Sequence, residues 1–143
     1  MRETTVFNAV AFPIRVFLLW LLIAIVEAIH GTLRSLFLVP MIGTKGAHLF
    51  GVVFGSLLIL VIALLGSDWL AAVTRRQQLF AGLCWVLLML AFELGLGRLL
   101  GLGWDRLVAD YDLSRGGLML IGMLVLGLAP WLAARLQAPR SPS

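Results

Sequence analysis

Charge is scarce in this chain. Asp, Glu, Lys and Arg make up only 13% of its 143 residues, where a soluble domain carries about a quarter. Hydrophobic residues make up 62%, and the mean hydropathy is +1.06. So few charges exclude a water-facing globule and a disordered tail. The net charge of +4 comes from 11 basic against 7 acidic residues. These sit mostly at the ends of apolar runs, as in a protein facing anionic headgroups, and do not point to nucleic acid. Cysteine is nearly absent. Cys84 stands alone inside an apolar run, which excludes an intrachain disulfide and a thiolate zinc cluster. A Gly-rich phosphate loop, a nucleophile elbow and a metalloprotease motif are all missing, so the sequence leans away from an enzyme. No ten-residue segments alternate as a membrane barrel requires.

Long apolar runs are present instead. About 20 apolar residues cross the roughly 30 Å hydrocarbon core as a helix. Four runs qualify, at residues 13–37, 47–65, 79–100 and 116–134. Pro13 suits a first helical turn, Pro40 is expected to stop the first span, and Pro130 to bend or end the fourth. Val26-Glu27-Ala28 loosely resembles a signal-peptidase site, but apolar character resumes after it, so the first span is read as retained. The fold class is therefore all-α and integral to the membrane, a bundle of four transmembrane helices. The N-terminal side carries Arg2, Arg15, Arg75, Arg76, Arg135 and Arg140, against Arg34, Lys45, Arg98, Arg106 and Arg115 on the other. That balance places both termini in the cytoplasm, with a bacterial inner membrane as the setting. Residues 137–143 read as a disordered polar tail.

The two halves echo each other. Glu27-x-x-x-Gly31 is matched by Glu93-x-x-x-Gly97, Lys45-Gly46-Ala47 by Arg115-Gly116-Gly117, and Trp69-Leu70-Ala71-Ala72 by Trp131-Leu132-Ala133-Ala134. The pattern suggests a tandem repeat of two helical hairpins, related by a pseudo-twofold axis along the membrane normal.

The even-numbered spans carry no charge, whereas the odd-numbered ones carry several toward the same end. Glu27, His30 and Arg34 fall at i, i+3 and i+7, on one helical face. Glu27 lies 12 residues beyond Arg15, about 18 Å deep at 1.5 Å per residue. A charge at the bilayer centre costs about 2.5–3.5 kcal/mol on insertion scales, so such groups face the bundle interior and pair. A twofold would pair Glu27 with Arg98 and Glu93 with Arg34. Two readings follow. Either Glu27, His30, Arg34, Glu93 and Arg98 line a ligand pocket open to the non-cytoplasmic side, with Glu27 as its titrating group, or they are ion pairs that only fix helix register. The first suggests binding or transport of a small polar or amphiphilic ligand. The second suggests an accessory or scaffold subunit of a larger membrane complex.

His30 and His48 flank the first turn at similar depth, so a haem or metal site, and with it a redox subunit, is a third reading. No cofactor is the expectation, because the second Glu-x-x-His motif of a di-iron bundle is missing. Between spans 3 and 4, residues 104–112 form an amphipathic pattern with Trp104, Leu107, Val108 and Tyr111 on one face. This is read as a short interfacial helix. Trp104, Asp110, Tyr111, Asp112 and Arg115 are candidate lid residues. Gly51/Gly55 and Gly97/Gly101 are small-residue seams for packing within the chain or for a homodimer. Trp69, Trp104 and Trp131 read as interfacial anchors, and Trp20 and Trp85 as interior or lipid-facing. The expected partners are the lipid bilayer and, in the scaffold reading, a larger complex.

Overall fold

The computed structural model describes residues 2–138, with side chains from residue 11 onward. Every regular element among the described residues is helical: α1 (Arg2–Leu33), a π-helical turn (Arg34–Leu38), α2 (Val39–Leu70), α3 (Arg75–Leu99), α4 (Trp104–Ala109), a 3-10 turn (Leu113–Arg115) and α5 (Met119–Gln137). Three stretches are long and apolar enough to cross a membrane: Ala11–Leu70, Arg75–Leu99 and Met119–Gln137. The chain is an all-α membrane protein.

The first stretch has 60 residues and would be about 90 Å long if straight. Instead it doubles back at Gly43, whose φ of 80° and ψ of 168° lie in a region open essentially only to glycine. Beyond Gly43 the two arms meet face to face. A Cβ on Gly51, Gly55 or Gly66 would strike Arg34, Glu27 or Leu19, respectively, so the partners run in opposite directions. Pro40 does not stop the helix as expected. It occupies the first turn of α2, where a missing N–H costs nothing, and the chain breaks three residues later. Ahead of it the ladder widens into the π turn, with the Val39 N–H donating to the Arg34 carbonyl.

The second pair of arms is α3 and α5. Thr74 opens α3 with a capping box: its hydroxyl accepts from the Gln77 N–H while the Gln77 side chain accepts from the Thr74 N–H. A Cβ on Gly82 would overlap the Gly127 carbonyl, so these two helices touch backbone to backbone. At the end of α5, Gln137 donates to the Leu64 carbonyl at 2.6 Å and pairs with Ser67. The C-terminal ends of α2 and α5 therefore lie together. Phe12 against Phe80 and Trp20 against Phe92 align α1 with α3 in the same direction. Neighbouring arms meet in the order α1, α2, α5, α3.

Trp85, Ile23 and Leu126 are fully buried at the centre, with Ala81, Ala129 and Ala133 filling the narrow contacts. The Trp85 indole N–H donates to the Val16 carbonyl at 2.9 Å, so Trp85, like Trp20, is interior. Leu22, Phe37, Val53, Leu83, Leu87 and Leu124 stand exposed on the outside. That inversion of the soluble pattern suits a lipid-facing wall.

Three expectations need correction. Helix α5 does not end at Pro130: it runs through this buried residue to Gln137. Gln137 is accordingly a helical, hydrogen-bonded residue and not the start of a disordered tail; Pro139–Ser143 lie outside the described residues. Gly116 and Gly117 do not open the fourth helix. Gly116 has φ +81° after the 3-10 turn, Gly117 packs on the Ala109 and Asp110 carbonyls, and α5 starts at Met119.

Candidate polar cavity

In the half of the bundle nearer the Gly43 turn, the arms part around a cavity of about 700 Å³. Phe92 of its wall meets Trp20 edge to face and joins α1 to α3 there. Leu107 of α4, buried against Gly97, also lines the cavity. Most of the wall is apolar, including Ile59, Met89, Met123 and Leu126. Set into that wall are Glu27, His30 and Arg34 from the first arm, His48 and Ser56 from α2, Glu93 from α3, and Asp110 and Tyr111 from the α4–α5 connection.

The glycines of α2 explain how charge fits there. Glu27 lies against Gly55 and Arg34 against Gly51, so each side chain fills the space a Cβ would take. Gly51 and Gly55 thus act within the chain. Of the second seam, Gly97 receives Leu107, and Gly101 is a turn residue with φ +81°. The Nδ1 atom of His30 lies 3.4 Å from Oε2 of Glu27, and its ring packs on Phe54 at 5.2 Å. The His30 side chain is 10% exposed and that of Glu27 25%. Three buried side-chain atoms have no hydrogen-bond partner among the described residues: Nε1 of Trp20 and, in this cavity, Oε1 of Glu27 and Nε2 of His30. A buried polar atom without a partner costs about 1–3 kcal/mol, so the Glu27 and His30 atoms are ready to engage whatever enters the cavity.

Across the cavity, the Tyr111 hydroxyl donates to Oε2 of Glu93 at 2.9 Å. Burial, together with the neighbouring Glu93 carboxylate, pushes the Tyr111 phenol well above its ordinary value. Glu93 therefore has a neutral donor fixed on it, and the connection is tied down over the cavity.

Four of the five expected pocket residues, Glu27, His30, Arg34 and Glu93, do line one cavity. Arg98 does not. It is exposed, donates to the Leu102 carbonyl at 3.0 Å and stands over the Trp104 ring at 5.1 Å. Five residues beyond Glu93, it points about 140° away around the helix. The expected cross-pairs, Glu27 with Arg98 and Glu93 with Arg34, are absent. Among the described residues, the contacts of this kind are a hydrogen bond between Glu27 and His30 and an ion pair between Asp112 and Arg115.

The expected lid divides as well. Asp110 and Tyr111 line the cavity, whereas Trp104, Asp112 and Arg115 stay outside. Asp112 accepts from the Ser114 N–H and hydroxyl, at 3.0 and 2.6 Å, and those bonds hold its carboxyl below the usual value. Helix α4 is shorter than the 104–112 pattern. Trp104 and Val108 are exposed, and Leu107 and Tyr111 carry the inward contact. The two histidines share the cavity, but no group of three or more His, Cys, Asp or Glu side chains converges among the described residues.

His48 and Ser56 are wall residues that the sequence argument did not place in the pocket. A signal existed for the first: His48, Gly51 and Gly55 repeat the i, i+3, i+7 spacing of Glu27, His30 and Arg34 on the facing arm. The π turn that begins at Arg34 had no such signal. No known protein family, curated protein or solved structure matches the chain.

Proposed function

We propose that this is a four-span bundle of a bacterial inner membrane, with both termini cytoplasmic, that binds or transports a small polar or amphiphilic ligand from the non-cytoplasmic side. The observation that carries this reading is the cavity itself. Its volume of about 700 Å³ falls within the roughly 300–1,000 Å³ typical of small-molecule sites. An apolar wall with a few convergent polar groups is also the composition such sites have. Ionisable groups inside a bundle favour a functional role, and the alternative of mutually satisfied ion-pair ties loses weight when the cross-pairs do not form.

In this reading Arg34 holds an anionic group, while Glu27 and His30 offer one free acceptor and one free ring nitrogen. Glu93, already occupied by Tyr111, couples the ligand to the connection that covers it. The doubling back at Gly43 divides the longest apolar stretch into two arms, which supports a count of four spans. The parallel direction of α1 with α3, and of α2 with α5, supports a tandem origin of the two hairpins. The displaced Gly116-Gly117 pair and the missing cross-pairs count against strict symmetry.

Native mass spectrometry of the protein in mild detergent tests the proposal. The wild type should carry a bound small molecule that Glu27→Gln loses, with helical content and thermal unfolding retained. A wild type with no bound mass, or the same mass in Glu27→Gln, overturns it.

A further inference from the structure

A second cavity adjoins the first, and two residues line both. On the outer surface between α1 and α2 lies an apolar groove of about 440 Å³, walled by Val26, Leu33, Phe37, Phe50, Phe54 and Leu58. His30 and Arg34 line this groove and also the polar cavity. Phe50 and Phe54 stack at 5.5 Å with ring planes 13° apart, one helical turn from each other, and Phe54 also supports the His30 ring. Phe37, Phe50 and Leu33 are exposed on the outside, so the groove is open to lipid along its length.

Resting on the reading above, we propose that the ligand is a phospholipid: its acyl chain lies in the groove, and its phosphate meets Arg34 and His30 at the mouth of the polar cavity. Charge and height both favour this occupant. The Arg34 side chain, packed against Gly51, makes no ion pair or hydrogen bond with another described side chain, so its guanidinium is free for a phosphate, whose geometry it matches in bidentate fashion. Arg34 lies 19 residues beyond Arg15, about 28 Å along the helix, which is the level of the far headgroups across a roughly 30 Å core. From there the groove runs back toward mid-membrane along Leu33, Phe54, Val26 and Leu58. A lipid of the far leaflet has this same orientation, head at the surface and chain inward. The distal part of its headgroup then faces the unpartnered Glu27 oxygen. A wholly water-soluble ligand has no use for a lipid-exposed groove that shares His30 and Arg34 with its site.

The test titrates the full-length protein in non-ionic detergent with short-chain phosphatidylglycerol, the matching diacylglycerol and glycerol 3-phosphate, read by native mass spectrometry. Phosphatidylglycerol should bind one per chain and at least tenfold more tightly than either fragment. Arg34→Gln should weaken it at least tenfold, and Arg98→Gln, outside both cavities, should leave it unchanged. Phe50→Ala should weaken the phospholipid while leaving glycerol 3-phosphate as it was. Circular dichroism checks that each variant folds. Equal phospholipid binding by wild type and Arg34→Gln, or glycerol 3-phosphate binding as tightly as the phospholipid, overturns the inference. If glycerol 3-phosphate binds that tightly and Arg34→Gln loses it, the lipid assignment fails and the polar-pocket reading stands. If neither phosphate compound binds and the wild type carries no other bound mass, both fail.

Discussion

Tyr111 is the chain's one tyrosine, so its phenol can be followed in isolation. An unfolded chain ionises tyrosine at about pH 10. In the folded protein, burial and the adjacent Glu93 carboxylate raise Tyr111 above that value. Above about pH 10 the unfolded state therefore holds fewer protons than the folded one, and stability falls as pH climbs. Below that pH the contribution is intact. Phenolate absorbance should be missing from the folded protein at a pH where it appears in the denatured chain; the same midpoint in both would show that Tyr111 is not held on Glu93. Trp85 offers a second single-residue test. Trp85→Phe removes the donor to the Val16 carbonyl and should cost about 1 kcal/mol, against about 3–5 kcal/mol for Trp85→Ala, which also leaves a void. Reversible unfolding in mixed micelles measures both, and near-equal losses would show that packing contributes little beyond the hydrogen bond.

Glycines at particular positions decide how the helices meet. Gly43→Ala puts a side chain in a backbone region reserved for glycine, at a cost of about 1–3 kcal/mol. Gly82→Ala should be worse, because its Cβ would meet a backbone carbonyl of α5 that cannot rotate aside. Gly95→Ala meets nothing within 4 Å inside the same helix and should be neutral or stabilise by about 0.5–1 kcal/mol. Thermal unfolding followed by circular dichroism should rank them in that order, and a Gly82→Ala protein as stable as the wild type would contradict the close approach of α3 and α5. These positions were only partly legible in the sequence. Hydropathy locates the apolar runs and the gap at residues 38–46, but it carries no dihedral information, so Pro40 drew attention that belonged to Gly43. The Gly82–Gly127 contact joins residues far apart in the chain, and neither lies in an obvious small-residue motif. The Thr74-x-x-Gln77 capping box has a local spacing, but the sequence argument did not use it.

For the whole molecule, the scarcity of charge proved informative through its placement. The Glu27, His30 and Arg34 face was legible because an i, i+3, i+7 pattern is local to one helix. Arg98 was misplaced because nearness to Glu93 in sequence ignores a turn of about 140°. The Glu93–Tyr111 bond spans a connection whose path only the folded chain reveals. One half of the bundle is tightly packed around Trp85, and the other opens around the polar side chains. The central claim is that this opening is a water-accessible pocket within a membrane protein. Cysteine labelling tests it most directly, using Ser56→Cys in the cavity and Val61→Cys on the exposed outer face of α2, both in a Cys84→Ala background. A charged, membrane-impermeant thiol reagent added from the non-cytoplasmic side should modify Ser56→Cys and spare Val61→Cys. A Ser56→Cys protein that resists the reagent as completely as Val61→Cys would contradict the account.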